Sequence, residues 1–346
     1  MSAFAIYRLP HEDHATLIRQ TDGEPLELHS LIELNGKHGF VVAPFEVKAG
    51  QPVVLIQGET ETIDLKNDCL STDNCKTKPI SDVSIYYKVD FANYHSQLEA
   101  DKFRKIVLAR CADEKMPDGV EPMELFYRAC ELYPRLFIAL VETEKSGCWL
   151  TATPEILLDG CGADWRTIAL AGTMKLEDDQ LDGEGETLTW STKNIQEQRI
   201  VATYITECLE QFTGEFREEG PRTVRAANLV HLRSDFTFRL GHQDHIGDLL
   251  QALHPTPAVC GLPKREAFQF IVKNEHTPRR YYSGFMGPLG QEETHLYVSL
   301  RCMNIEGDIC HLYAGGGLLK DSTEEQEWLE TEAKMETMKR LLYVQQ

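Results

Sequence analysis

A single large domain of the α+β class is what this sequence predicts, and three observations carry the expectation. Short apolar runs bounded by polar turns, the pattern of strands, alternate with stretches whose apolar residues recur every three or four positions, the pattern of helices. With 346 residues, 42% of them hydrophobic, the chain can bury a core of that size. No linker rich in Pro, Gly or Ser and no clear internal repeat divides it, so one domain over 1–346 is expected, with a strand-rich part at 1–83 and the core of the domain at 84–346.

The elements follow in order. From Phe4 to Ile80, runs such as FVVAPF (Phe40 to Phe45) and PVVLI (Pro52 to Ile56) read as strands. A helix is expected from Asp90 to Phe103, where Phe91, Tyr94 and Leu98 share a face, then a strand, KIVLAR, from Lys105 to Arg110. A second helix covers Met123 to Leu132 and stops before Pro134. Strands are expected at Leu136 to Val141, Cys148 to Thr153, Ile156 to Leu158 and Trp165 to Ala171. An acidic loop, KLEDDQLDGEGE, separates these from a helix over Thr192 to Phe212. The scheme then repeats, with a helix at Arg265 to Lys273, strands at Tyr297 to Met303 and Cys310 to Ala314, and a last helix over Thr323 to Tyr343.

Composition excludes several function classes. A formal charge of -20 argues against a nucleic-acid or anionic-membrane surface, which needs clustered Lys and Arg. An anionic substrate would therefore need local rescue by a metal or an arginine. Ten cysteines without CxxC pairs, and an amino end, MSAFAIYRLPHED, without a secretory pattern, point to reduced thiols and a cytoplasmic protein. No apolar run reaches the roughly 20 residues of a membrane helix.

The most informative stretch is YAGGGLLKDSTEEQEWLETEAK, from Tyr313 to Lys334. Gly315, Gly316 and Gly317 let the backbone approach a ligand, so that their amides can donate to a carboxylate or a phosphate. After them Glu327, Glu330 and Lys334 share one helix face beside the apolar stripe of Trp328, Met335, Met338 and Leu342. A solvated acidic face is the alternative. In the preceding long helix Glu197 lies with Val201, Tyr204 and Cys208 in the stripe to be buried; such a carboxylate must be paired, protonated or bound to metal, the plain alternative being a pair with a neighbouring Arg. Two helices directing carboxylates inward suit magnesium.

Other residues carry similar paired readings. Lys105 opens an apolar strand and faces inward if Val107 and Ala109 do; desolvation would make it a general base, and snorkelling to water is the competitor. Glu155, in TATPEILL, sits at a strand end where partial burial would keep it protonated and able to give a proton, or it is an ordinary turn residue. Gly172 and Thr173, in ALAGT, offer close contact to a polar ligand. Arg301, inside VSLRCM, needs an anion, either a substrate carboxylate or a structural partner.

Together these pieces resemble the chorismate-binding enzymes, the family of isochorismate synthases, salicylate synthases and the large subunits of anthranilate and aminodeoxychorismate synthases. The resemblance runs through KIVLAR, TPEILL, ALAGT, STKNIQEQRIV, HPTPAVCGLPK, YSG, SLRCM, AGGG and EWLETEAK, about the last three quarters of the chain. It implies two antiparallel β-sheets packed together and flanked by helices, as in the anthranilate synthase large subunit. It also implies roles. Lys105 would activate water to attack ring carbon 2 of chorismate, and Glu155 would protonate the hydroxyl leaving carbon 4. Glu197 and Glu330, with Glu327 close by, would hold Mg2+ against the ring carboxylate. Arg301 and Tyr282 would meet the enolpyruvyl carboxylate, while the amides of Gly315 to Gly317 and Lys334 would contact the ring carboxylate side. His231 falls where the family keeps an active-site histidine, Gly172 and Thr173 line the leaving-group side, and Ala258 and Val259 belong to the substrate wall.

Within the family, lysine at 105 with ALAGT points to water as nucleophile, and hence to isochorismate rather than anthranilate or aminodeoxychorismate. Ala258, where salicylate synthases tend to have threonine, argues against pyruvate elimination. The expectation is a magnesium-dependent isochorismate synthase feeding menaquinone or siderophore synthesis. The alternatives are a salicylate synthase and a non-catalytic chorismate-binding homologue. Water as nucleophile implies no glutaminase subunit, and a monomer or weak homodimer is expected. The usual Glu-His pair of the metal helix is Glu197-Gln198 here.

Overall fold

The computed structural model describes residues 3–65, 84–175, 189–226, 229–240, 245–290 and 292–343. The amino-terminal part contributes β1 (Ala3–Arg8), β2 (His14–Gln20), β3 (Leu26–Leu28), β4 (Gly39–Ala43), β5 (Val53–Ile56) and β6 (Glu59–Asp64). Helix α1 (Ser84–Glu99) leads to β7 (Lys105–Lys115), α2 (Pro122–Leu132), β8 (Phe137–Thr143), β9 (Gly147–Thr153), β10 (Ile156–Cys161) and β11 (Asp164–Lys175). Then come α3 (Thr192–Leu209), β12 (Phe216–Ala226), β13 (Leu229–Arg239), α4 (Ile246–Leu253), β14 (Gly261–Leu262) and α5 (Lys264–Asn274). The last elements are β15 (Phe285–Leu289), β16 (Glu293–Val298), β17 (Cys302–Glu306), β18 (Ile309–Leu318) and α6 (Glu324–Leu342).

Among the described residues these strands form two antiparallel sheets of nine. The first has the order β14-β7-β18-β17-β9-β8-β1-β2-β6 and the second β12-β13-β11-β10-β16-β15-β4-β5-β3. Strands of the amino-terminal part extend both sheets: β1 pairs with β8, and β4 with β15. The fold is α+β, and no described helix is long and apolar enough to cross a membrane.

Three apolar layers result. Between the sheets lie Ala5, Phe40, Phe137, Trp149 and Tyr297, with the Phe137 and Tyr297 rings stacked 4.3 Å apart. Outside the first sheet, α2 and α6 bury Leu125, Phe126, Met335 and Met338; outside the second, α3 and α4 bury Val201, Ile205, Leu249 and Leu250. Each such Val, Leu, Ile, Phe or Met side chain contributes roughly 1.5–3 kcal/mol on leaving water. Strands covered on both faces therefore read as unbroken apolar runs, as FIALV in β8 does. Helix α6 is closed at its start by the Thr323 hydroxyl, which accepts from the Gln326 N–H at 3.4 Å, and it carries Glu324, Glu325 and Glu327 in its first turn and Lys339 and Arg340 in its last.

The structure departs from the sequence expectation in four places. Helix α1 begins at Ser84 and ends at Glu99, ahead of the expected limits, although Phe91, Tyr94 and Leu98 do form its buried face. The expected strand Tyr297 to Met303 is two strands, β16 in the second sheet and β17 in the first, because the chain crosses between sheets at Ser299–Arg301. Strand β18 runs on through the three glycines to Leu318. The pair β12 and β13 and helix α4 were not anticipated. Apart from Lys175, the acidic loop lies outside the described residues, as do 66–83 of the amino-terminal part.

Candidate active site

The site forms where the chain passes twice from one sheet to the other. Between β9 and β10 the passage holds Pro154 and Glu155; between β16 and β17 it holds Ser299 to Arg301. The two passages are bonded side by side: the Val298 N–H donates to Glu155 O at 2.9 Å, Ala152 N–H to Arg301 O at 3.2 Å and Thr151 Oγ1 to Leu300 O at 2.9 Å. Arg301 has φ +45°, a strained conformation for a residue with a side chain, and such strain collects at functional positions.

Glu155 is 3% exposed, and burial raises its carboxyl to about 8 despite Lys105, Lys334 and Arg301 nearby. It is protonated at neutral pH. Burial, then Arg301 and Lys334, push His231 well below its ordinary value, so the ring is neutral. Its Nδ1 lies 3.1 Å from Gly172 O, where only the N–H form bonds well, which leaves Nε2 to accept from Arg301 Nη2. Burial lowers Arg301 to about 10, which keeps it charged. Tyr282 stacks on Tyr313 with centroids 5.4 Å apart.

Opposite stands the edge of β18. Strand β17 pairs with it only as far as Tyr313, so the glycines have a neighbour on one side, β7. Val107 N–H donates to Cys260 O at 2.7 Å and Ala109 N–H to Glu275 Oε1 at 2.8 Å, so both turn away from β18. Their partners Gly317 and Gly315 accordingly direct their own N–H and C=O to the open edge, and Lys334 Nζ donates to Gly315 O at 2.8 Å. Gly316 faces the ladder instead. Its expected amide contact with substrate is thus corrected: the alternation of the strand turns it away from the cleft, of whose wall it forms no part.

The glycines answer to crowding. A Cβ on Gly317 would overlap Glu197 Oε1 and stand 2.8 Å from Lys105 Cε; on Gly316 it would stand 2.7 Å from Glu327 Oε2, and on Gly315 2.8 Å from the Tyr282 hydroxyl. Side chains from β7, α3, α6 and the turn before β15 fill the space that three side chains would need.

Lys105 is wholly buried, so the snorkelling alternative fails, and its Nζ lies 2.8 Å from Glu197 Oε1. The contact is an ion pair with both groups inside the protein. Burial alone would raise Glu197, but Lys105, with Lys334 and Lys193 behind it, holds the carboxyl below its ordinary value. Glu197 Oε2 also accepts from the Gly172 N–H at 3.2 Å. Glu327 is 1% exposed, and burial, then Glu330, raise it in spite of Lys193 and Ser322. Its Oε1 takes Lys193 Nζ and the Ser322 hydroxyl, the latter at 2.7 Å, while Oε2 has no hydrogen-bond partner among the described residues. Glu330 pairs with Lys334 at 2.7 Å. Gln198 points away, donating to Ala169 O at 3.1 Å and Ser234 Oγ at 3.3 Å.

The cleft wall thus brings together Glu155, Gly172, Thr173, Glu197, His231, Ala258, Val259, Tyr282, Arg301, Gly315, Gly317 and Lys334, with Lys105 reaching it behind Glu197. Glu327 and Glu330 stand behind the wall on α6. A roomier groove, about 630 Å³, lies across β10, β11 and β13, and its Asp159 is paired with Arg166 and His295.

Two features escaped the sequence. Lys193 was missed although it stands one turn before Glu197, because a first-turn lysine reads as solvated. Arg279 and Glu275 form a buried pair at 2.6 Å, and Arg279 also donates to Val259 O at 2.6 Å and Val107 O at 2.7 Å, clamping two residues of the cleft wall; RRYYSG placed charge there, but only the fold shows what it holds.

Comparison with known proteins agrees with this geometry. The sequence profile described as "Chorismate binding enzyme" matches residues 55–343. The chain belongs to the chorismate-binding enzyme family. The isochorismate synthase MenF of Escherichia coli is 32% identical over 243 residues, 70% of this chain and 56% of that protein. The salicylate biosynthesis isochorismate synthase of Pseudomonas aeruginosa is 33% identical over 253 residues, 71% of this chain and 52% of that protein. The chain thus spans little more than half the length of these relatives. The solved structure of Escherichia coli MenF, the menaquinone-specific isochorismate synthase, superposes with a TM-score of 0.81 over 99% of this chain and 89% of that one, at 24% identity, which shows a shared fold.

Proposed function

We propose that this family member is an isochorismate synthase, a hydroxymutase that converts chorismate reversibly to isochorismate with magnesium. One observation carries the reading: a single cleft holds a buried carboxyl raised to about 8, Glu155, and, behind its Glu197, a fully buried lysine, Lys105, 2.8 Å from that carboxylate. These are an acid and a base for opposite ends of one displacement. Water bonds to ring carbon 2 and gives its proton to the Lys105 amine, which has first released to solvent the proton it carries in the ion pair with Glu197. The two ring double bonds shift, the carbon 4 to oxygen bond breaks, and the hydroxyl departs as water with the proton of Glu155. Arg301 and Tyr282 hold the enolpyruvyl carboxylate, with neutral His231 orienting Arg301. The Gly315 and Gly317 amides and Lys334 face the ring carboxylate, and Gly172 and Thr173 the leaving group.

Magnesium fits the residues present. Glu197, Glu327 and Glu330 offer oxygen donors, one of them a buried oxygen without a hydrogen bond among the described residues, beside two positions without Cβ. These three would hold the ion, which when bound supplies positive charge against the ring carboxylate. No glutaminase subunit enters the scheme, and the product would feed menaquinone or siderophore synthesis. Purified protein with chorismate and magnesium, followed by chromatography, should yield isochorismate; salicylate and pyruvate as the main products would overturn this in favour of the neighbouring activity, and no turnover would favour a binding protein.

A further inference from the structure

Each of the three carboxylates proposed for the metal carries a lysine of its own. Lys105 meets Glu197 at 2.8 Å, Lys334 meets Glu330 at 2.7 Å, and Lys193 meets Glu327. Among the described residues the three carboxylates do not close into a set with oxygens within 4.8 Å of one another. Lys105 and Lys334 have further placements, against Gly317 and on Gly315 O. Lys193 differs: its ammonium is spent on Glu327, an almost wholly buried carboxylate whose second oxygen, beside Gly316, makes no hydrogen bond among the described residues.

We infer that Lys193 is a resident counter-cation of the metal site, which a divalent cation must displace from Glu327, so that this exchange sets the metal affinity and makes it depend on substrate. The inference rests on the magnesium reading above. Its basis is charge. Three carboxylates and three ammonium groups sum to zero, so a divalent cation entering alone leaves two uncompensated positive charges in a poorly solvated place. Chorismate, with two carboxylates, supplies the missing charge, and metal and substrate therefore favour each other's binding by the same factor. With a side chain 20% exposed at the first turn of α3, Lys193 has a route to water when it lets go.

The test is magnesium titration of the whole protein by calorimetry, with and without the chorismate–isochorismate equilibrium mixture. Lys193→Met should bind magnesium without substrate about tenfold more tightly than wild type, a coupling of ordinary size. Its substrate-induced gain should shrink accordingly. Lys193→Arg keeps the charge and should behave as wild type, and Lys193→Met with Glu327→Gln should lose the gain. Without metal, Lys193→Met should melt at a lower temperature than wild type, since it leaves a buried carboxylate unpaired, and magnesium should restore it. If that variant does not fold, Lys193→Gln, which keeps a donor for Glu327 without the charge, carries the same expectation. Equal or weaker magnesium binding by the folded neutral variant overturns the exchange while leaving the metal site standing. No saturable binding by wild type, even with the equilibrium mixture, overturns both.

Discussion

Replacing Glu155 by Gln should stabilise the protein in mild alkali while removing its activity. Burial raises this carboxyl from 4.5 to about 8 in the fold, against the opposing pull of Lys105, Lys334 and Arg301. At about 1.36 kcal/mol per unit, that gap corresponds to on the order of 5 kcal/mol between protonation states. The folded value lies above the unfolded one, so the native state binds the extra proton; the associated stability is fully present below about pH 4.5 and is lost as pH rises through about 8. Between about pH 6 and about pH 9, this one group should cost the wild type roughly 3 kcal/mol. Glutamine has nearly the same shape and no charge to lose. Urea unfolding of both proteins across that interval measures the effect: the stability difference in favour of Glu155→Gln should grow by about that amount. The rate constant of the variant should fall by about 100- to 10,000-fold, the usual worth of a positioned acid. Parallel stability curves, or a variant near the wild-type rate, would refute the claim that Glu155 is a buried, protonated acid.

Three further outcomes are expected. Lys105→Ala should lose nearly all turnover yet stay folded, checked by single-turnover rates and circular dichroism, because the proposed work of Lys105 is proton transfer. Glu330→Gln should shift magnesium titrations of activity about tenfold or more to higher concentration, as loss of one of few ligands does. Gly317→Ala should lower stability as well as turnover, since its methyl overlaps the end of Glu197 and pushes it from Lys105, breaking a buried ion pair; turnover should drop at least about 100-fold, and thermal melts and steady-state rates read the two effects.

What was legible in the sequence follows physical lines. Helices α2 and α6 were found nearly to the residue, because one buried stripe repeats along them, whereas α1, with its stripe correctly read, starts at Ser84 rather than Asp90. Strand β12 was not, since FREEGPRTVRA is largely open to water and shows no apolar alternation, and α4 has only eight residues in which to repeat a period. The crossing at Ser299–Arg301 was hidden because the strands on either side are both apolar, and a sheet change leaves no mark in periodicity. Single chemical groups in odd surroundings stood out: a lysine opening an apolar strand, an arginine within one, and three glycines in succession. Their partners did not. That Gly317 makes room for Glu197, or that Lys193 meets Glu327 across 134 positions, depends on distances only the fold creates.

The central claim is that water, taken from solvent, displaces the carbon 4 hydroxyl by bonding at carbon 2. Running the reaction with chorismate and magnesium in ¹⁸O-labelled water tests it directly. The account predicts isochorismate carrying one ¹⁸O, at carbon 2, after a single forward turnover. Isochorismate without label, or salicylate and pyruvate in its place, would contradict it.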